Sequence, residues 1–484
     1  MHKINFHLDD TTVSELGGDL RIIEGIPLII DDDLRFQDAG MQRPTWVVNH
    51  WIISCSHGPQ ISLRTLNIYM SAAFAWLLFL QEKGFDPLGD RDSLQAALGL
   101  YAEFRLSGKH TKRWANSTWN LNISAISGFY KWAIAKKYAK ATPFTYSEVA
   151  LWRNGIPLII LQNNAKLPIP KRHSTAKYLG TEYQTVLLNA LEGLSPDGDE
   201  SIGTKGRHLV RNSLLAKVLI STGLRSQELS SLTVYELPPL PHERTDMPIE
   251  FFIPGTITKR RKPRTTWIDY DTLMQAHEYV LWERKIAASR SRWFPKATLG
   301  APLRVEEADT IGARIDGERR SWSEVTLEER IRLVEPQGGS CLLALQSTGA
   351  PFRALGTVLR RVSTKIAVQF DRKFPHVHPH MLRHTFAMNT LEYLVRGYYN
   401  AVAKLSSQTG QNAALALYMT RQDPLMVLRD LLGHSSVTTT QLYLDRLDTR
   451  RIFADAFESA ASHGLEASKA VLAEVESEFV EDDC

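Results

Sequence analysis

The stretch QNNAKLPIPKRHSTA, residues 162–176, does most to limit what this chain can fold into. It is polar and basic, and its two prolines, Pro168 and Pro170, each lack a backbone donor and hold the preceding residue extended. Too few apolar side chains are present to join a core, so the stretch reads as a linker. The chain must then fold as at least two bodies. Its 484 residues also exceed what a single hydrophobic core usually holds.

Ahead of the linker, residues 61–161 read as a helical domain. SLRTLNIYMSAAFAWLLFLQEKG places Leu66, Tyr69, Met70, Ala73, Phe74, Leu77 and Leu78 near one face, and Gly84 offers a C-terminal stop. The apolar run Met70–Leu80 is about half the length of a bilayer span, so it reads as a buried core helix. NSTWNLNISAISGFYKWAIAKK sets Leu121, Ser124, Ala125 and Phe129 in helical register, with Ser117 as a candidate N-cap. Residues 1–60 read as a separate irregular segment with short strands, and IEGIPLIIDDD as an extended piece closed by an acidic turn. No role is assigned to that segment.

Beyond the linker, helical and strand signals mix over residues 177–470. Two stretches read as insertions, 295–350, rich in charge, glycine and proline, and 396–422. Residues 471–484 form an acidic tail. The fold class expected is mainly α with a small antiparallel β-sheet.

Hydrophobic residues make up 43% and charged residues 23%, the balance of a folded globular protein. Cys55, Cys341 and Cys484 are far apart and show no CxxC spacing. That argues against a disulfide framework or a thiolate zinc site and fits a reducing cytoplasm. The N-terminus MHKINFHLDD has no apolar core of the signal-peptide kind. A net charge of +4 permits an anionic partner without demanding one.

Four short stretches carry the candidate chemistry. In His378-Pro379-His380-Met381-Leu382-Arg383-His384, residues 380, 383 and 384 stand at i, i+3 and i+4 and share one helix face. In STGLRSQELSSL, Arg225 sits at a helix start, an anion-friendly place, with Glu228 three residues on to orient it. In FFIPGTITKRRKPRTTWIDY, TIT and TTWID read as strands and KRRKPR as the turn between them. Five of the six residues Lys259–Arg264 are basic, a density of like charge that a polyanion would relieve. In VLRDLLGHSSVTTTQLYLDRL, Gly433 ends a helix, His434 follows, and Tyr443 lies nine positions further on. A fifth stretch, GKHTKRW, sets Lys109, Lys112 and Arg113 beside Trp114 and reads as a phosphate-contacting or merely solvated loop.

Singly, each stretch has a plain reading: a surface Arg–Glu pair, a charged turn, a core tyrosine. Together they offer a cationic cage and a tyrosine hydroxyl. No acidic pair accompanies them, and no GxxxxGK[ST] cradle appears. That set suits phosphoryl transfer with tyrosine as nucleophile.

The motifs Thr222-Gly223-Leu224-Arg225-Ser226-Gln227-Glu228-Leu229, Lys259 in a basic hairpin, His380-Met381-Leu382-Arg383-His384, Leu432-Gly433-His434-Ser435 and Tyr443 resemble, in order, those of the tyrosine recombinase (phage integrase) family. The resemblance covers residues 177–450. The helical region 61–161 is similar to the family's DNA-binding domain in pattern only. The resemblance implies a site-specific recombinase that needs neither metal nor ATP. Tyr443 forms a 3′-phosphotyrosyl bond, and Arg225 and Arg383 clamp the phosphate. Lys259, with Lys262 as the alternative, protonates the leaving oxygen. His380 is general base or relay, and His434 binds the phosphate. Glu228 and His384 are supporting residues. Arg260, Arg261, Lys262 and Arg264, with Lys109, Lys112 and Arg113, contact double-stranded DNA. It also implies a homotetramer on two duplexes, with accessory DNA-bending proteins as possible partners, in the cytoplasm at the nucleoid. Two departures stand out: Arg383 and His434 are 51 positions apart, and the 295–350 insertion is unusual. Both suggest an integrase of a mobile element. The competing readings are a type IB topoisomerase, a non-catalytic DNA-binding protein of the same fold, and a zinc protein using His376, His378, His380 and His384.

Overall fold

The computed structural model describes residues 1–6, 25–35, 37–38, 41–56, 61–107, 113–153, 156–169, 177–199, 208–259, 261–296, 299–409, 423–444, 447, 452 and 455. It divides into two units, Met1–His173 and Ser174–Cys484. The chain is mainly helical with small sheets, as expected.

The first unit opens with an antiparallel pair, β1 (His2–Asn5) and β2 (Pro27–Ile30), then a short hairpin of β3 (Gln37–Asp38) and β4 (Met41–Gln42). Four helices follow, α1 (Pro44–Ser56), α2 (Leu63–Lys83), α3 (Arg91–Leu106) and α4 (Asn116–Ala135). The acidic turn after β2 is tied down by Arg43, which bonds Asp33 and Asp38 at 2.7–2.8 Å. The described residues of 1–60 do not stand apart: Ile26, Ile29, Val48, Trp51 and Ile52 belong to the same core as α2 and α4.

Helix α2 starts at Ser62, whose hydroxyl accepts from the Thr65 amide, and stops at Gly84 in the left-handed region. Leu66, Met70, Ala73 and Leu77 are buried as the periodicity requires, whereas Leu78 is exposed. By length and composition α2 is apolar enough to cross a membrane. Here Leu66, Met70, Trp76 and Leu80 are buried in the core of its unit. In α4 Ala125 and Phe129 are buried as expected, but the start and two of the positions differ. The N-cap is Ala115, Leu121 and Ser124 face outward, and Trp119, Ile123, Ile126 and Tyr130 face in. Tyr130 Oη accepts from Trp76 Nε1 at 3.0 Å and donates to Pro87 O at 2.9 Å, so a deep phenol is satisfied.

The unit does not end in helix. A hairpin of two eight-residue strands, β5 (Tyr146–Arg153) with β6 (Ile156–Asn163), extends it. Residues 164–168, expected in the linker, pack back on α4: Asn120 holds Leu167, and Trp119 Nε1 donates to Ala165 O at 2.8 Å. Residues 170–176 of the expected linker lie outside the described residues.

The second unit contains α5 (Thr181–Glu192), α6 (Leu209–Thr222), the single turn α7 (Ser226–Leu229), the hairpin β7 (Ile249–Ile253) with β8 (Arg264–Ile268), and α8 (Tyr270–Tyr279). The hairpin's first strand is Ile249–Ile253 and not TIT. Pro254 interrupts the ladder, and Gly255–Ile257 forms a 3-10 turn. The described residues of 295–350 include a four-stranded sheet of β9 (Leu303–Ala308), β10 (Gly312–Ile315), β11 (Glu318–Ser321) and β12 (Leu333–Val334), in the order β11-β10-β9-β12. A small core of Val305, Ala313, Ile315, Trp322 and Val325 supports it. Then come α9 (Leu355–Gln369), the long α10 (Pro379–Thr409), α11 (Pro424–Leu432) and α12 (Val437–Leu444). The expected addition at 396–422 is thus in part a continuation of α10. Residues 410–422, and most residues after Tyr443, lie outside the described residues.

Candidate active site

Two helix ends converge on Arg383. Helix α6 ends at Gly223, α11 ends at Gly433, and both glycines take left-handed backbone, φ 63° and 62°. The open ends of these helices leave carbonyls without helical partners. The Arg383 guanidinium, 2% exposed, donates Nη1 to Gly223 O and Nη2 to Leu432 O. One arginine thus caps two helix ends, where the helix dipoles favour a cation. Gly223 is also tightly packed: a Cβ there would meet the Phe386 ring at 2.2 Å.

Arg225 follows that break. Its backbone amide donates to Glu228 Oε2 at 2.7 Å and its Nη1 to Oε1 at 2.8 Å. Glu228 is 1% exposed and accepts a second guanidinium, Arg264, at 3.0 and 2.7 Å. Burial pushes the Glu228 carboxyl up, but Arg264 first, and Arg225 with it, hold it down at about 2. Arg264 also donates Nε to Leu431 O at 3.1 Å.

Arg264 is therefore not a DNA-facing residue of the hairpin tip, as expected from the basic run. Its side chain is 7% exposed and its donors are used internally. The strand alternation carries the signal that was missed: Arg264, Thr266 and Ile268 share the inward face of β8. Lys259, Arg261 and Lys262 are exposed on the connecting loop. Thr258 Oγ1 lies 2.9 Å from both Gly255 O and Lys262 O and closes that loop. Arg260, Lys109 and Lys112 lie outside the described residues, and Arg113 is exposed.

Histidines line the cage. His380 and His384 are one turn apart on α10 with ring centroids 4.3 Å apart, as the i, i+4 spacing demands. His434 follows the α11 stop, its Nδ1 3.1 Å from Thr440 Oγ1 of α12. The same helix carries Tyr443, 4% exposed, whose hydroxyl lies 2.6 Å from His384 Nδ1. His384, expected only as a supporting residue, is thus the group in contact with the tyrosine. Thr385, also unanticipated, is buried and accepts the Leu179 amide at 3.0 Å, which fixes α10 to the start of the unit.

The electrostatics are those of a site short of negative charge. Burial, then Arg225 and Arg264, push Arg383 down to about 9, although Glu228 and Tyr443 oppose this. Burial, then His380 and Arg383, push His384 down to about 4. Burial, then Arg383, Arg225, His384 and Arg264, bring His434 to about 4. His380 is lowered by desolvation and then by Arg383, His378 and Arg225. Burial raises Tyr443, against the pull of Arg383. Each positive group resists the others, and an entering anion would relieve all of them. Among the described residues, no group of three or more His, Cys, Asp or Glu is placed to hold a metal ion.

No family model matches the chain, and no curated protein does. Solved structures give matches. The chain is similar to site-specific DNA recombinases. One is the XerH recombinase bound to its palindromic difH substrate in a post-cleavage complex, at 16% identity and TM-score 0.45 over 86% of this chain and 85% of that one. XerH in a pre-cleavage complex matches at 17% identity and TM-score 0.43, over 83% and 81%. The Tn1549 transposon integrase with circular intermediate DNA matches at 14% identity and TM-score 0.42, over 82% and 94%.

Proposed function

We propose that the protein is a site-specific DNA recombinase that cuts and rejoins DNA through a 3′-phosphotyrosyl intermediate. One observation carries the reading: a buried tyrosine hydroxyl, Tyr443, packed on the helix that supplies Arg383, beside Arg225, His380 and His434. Among the described residues, the one carboxylate bonded into this cluster, Glu228, is committed to two arginines.

The chemistry follows from the charges. A free tyrosine has a pKa near ~10 and attacks poorly at neutral pH without a proton acceptor. Arg225 and Arg383 stabilise the charge that grows on the non-bridging oxygens of the transition state. Glu228 fixes Arg225 through its backbone and its side chain. His434 donates to the phosphate, and Lys259 or Lys262 protonates the 5′-oxygen as it leaves. Reversal with the 5′-hydroxyl of a second DNA rejoins the strands, and the phosphotyrosine keeps the bond energy, so no ATP is consumed. The exposed Lys259, Arg261 and Lys262 suit a DNA backbone contact. Four protomers on two duplexes, serving a mobile element, complete the proposal.

The test is capture. The protein is incubated with fragmented DNA of its source, denatured in detergent, and the protein-linked DNA is sequenced, with Tyr443→Phe in parallel. Adducts at one repeated site, absent from Tyr443→Phe, support the recombinase. Adducts scattered without site preference point to a topoisomerase-like relaxing enzyme. Salt-sensitive binding with no adduct points to a non-catalytic DNA-binding protein.

A further inference from the structure

We infer that His384 takes the proton from Tyr443 as the tyrosine attacks, and so is a catalytic base of the reaction. The inference rests on the recombinase reading above. Its geometry is direct: Tyr443 Oη stands 2.6 Å from His384 Nδ1, with the rings 5.7 Å apart. A hydroxyl this buried has to pass its proton to a neighbour. His380, the base expected from the motif, is exposed and sits one turn away, its ring 4.3 Å from that of His384. For this step Nδ1 accepts from the Tyr443 hydroxyl, so Nε2 carries the ring proton.

The step balances. The Tyr443 O–H bond breaks and its proton moves to Nδ1, giving an imidazolium. The tyrosine oxygen bonds phosphorus, the bond from phosphorus to the 5′-oxygen breaks, and that oxygen takes a proton from Lys259 or Lys262.

Charged neighbours make the transfer conditional on DNA. His378, His380 and Arg383 face the pair from α10 and its lead-in. Arg225 and Arg264, with Glu228 between them, lie across Arg383, and His434 stands beside His384. Without DNA, burial first, and then the fields of His380 and Arg383, hold His384 neutral and weakly basic, and burial keeps the proton on the tyrosine. A phosphodiester brings one negative charge into the same space. It offsets the field of Arg383 and His380, so His384 becomes a competent base when the scissile phosphate is in place.

The probe is a duplex bearing the site captured with the wild type, with sulfur replacing the bridging 5′-oxygen at the cleaved phosphate. Sulfur leaves without a proton, so the rate reports on the nucleophile side alone. His384→Gln keeps an acceptor oxygen near Tyr443 but cannot take up a proton, and His384→Asn serves if that variant melts early. The expected result is adduct formation slowed about 100-fold or more. Sulfur should not restore it, and the loss should shrink as pH rises from about 7 to about 10 and hydroxide replaces the base. The Lys259→Ala, Lys262→Ala double variant should be restored by sulfur. A rate within about threefold of wild type, restoration by sulfur, or an equal loss at every pH would overturn the inference. A wild type that forms no adduct with any DNA would overturn the recombinase reading and this inference together. A wild-type adduct on Tyr443 with an unaffected variant would overturn this inference alone.

Discussion

Glu228 and Glu236 stand eight positions apart, at 228 and 236, and begin with the same task. Each is the third residue of a short helical turn and reaches back to the amide that opens it, Glu228 to Arg225 N and Glu236 to Thr233 N. Each is buried, and each receives a guanidinium. From there they diverge. Glu236 is matched by one arginine, Arg330, itself fully buried and further bonded to Ser231 O and Trp322 O. That pair is closed. Glu228 is shared by Arg264 and Arg225, with Arg383 close enough to feel it, and the Arg225 side chain remains 31% exposed. One carboxylate cannot balance three guanidinium groups. The comparison teaches that a buried charged cluster becomes a candidate site through surplus charge with an open side, and not through burial alone.

The comparison can be broken by mutation. Glu228→Gln and Glu236→Gln should each cost about 3–5 kcal/mol of unfolding free energy, since each strands a buried guanidinium, as read by chemical denaturation. Only Glu228→Gln should also lose DNA cleavage under conditions where both variants remain folded. Equal loss of cleavage in both would mean that the two clusters do not differ in function. Next, Arg225→Ala should slow adduct formation about 100- to 1000-fold with little change in melting temperature, because the lost donor acts on the transition state and is partly exposed.

Gly223→Ala comes third. The left-handed backbone and the rigid Phe386 ring both oppose a methyl group, so a loss of about 1–3 kcal/mol is expected from denaturation. A neutral result would mean that the α6 stop is not pressed on α10. The last prediction concerns pH dependence. His384 and His434 sit at about 4 in the folded chain, below the ~6.5 of a free histidine. Groups lowered on folding stabilise the chain above the unfolded value and lose that contribution as pH falls through the folded one. Stability should therefore drop from about pH 6.5 towards about pH 4, and His434→Gln should flatten part of the slope. An added phosphate or sulfate ion should do the same.

How much of this was legible in the sequence depended on range. The apolar period of α2 (Leu78 apart), its Gly84 stop and the one-turn spacing of His380 and His384 are properties of contiguous residues, and they stand as read. In α4, Ala125 and Phe129 stand as read, but the start and the placing of Leu121 and Ser124 were misjudged, because Ser117 is a good cap in isolation, whereas the buried face is set by Trp119 and Tyr130 and their partners elsewhere in the unit. Arg264 was assigned to the outside by the company it keeps in a basic run. Its inward direction is fixed by strand alternation and by Glu228, 36 residues earlier. The bond from His384 to Tyr443 spans 59 positions and leaves no local trace. Contacts of that range are carried by the fold, and the fold becomes visible only when the helix ends are seen to meet at Arg383.

The most direct test of the central claim is to locate the covalent bond. Wild-type protein captured on DNA in the presence of a metal chelator is digested with nuclease and protease, and the peptides are sequenced by mass spectrometry. The account predicts a nucleotide remnant on the phenol oxygen of Tyr443, formed in full without added metal. A remnant on any other residue, or one formed only when a divalent ion is restored, would contradict it.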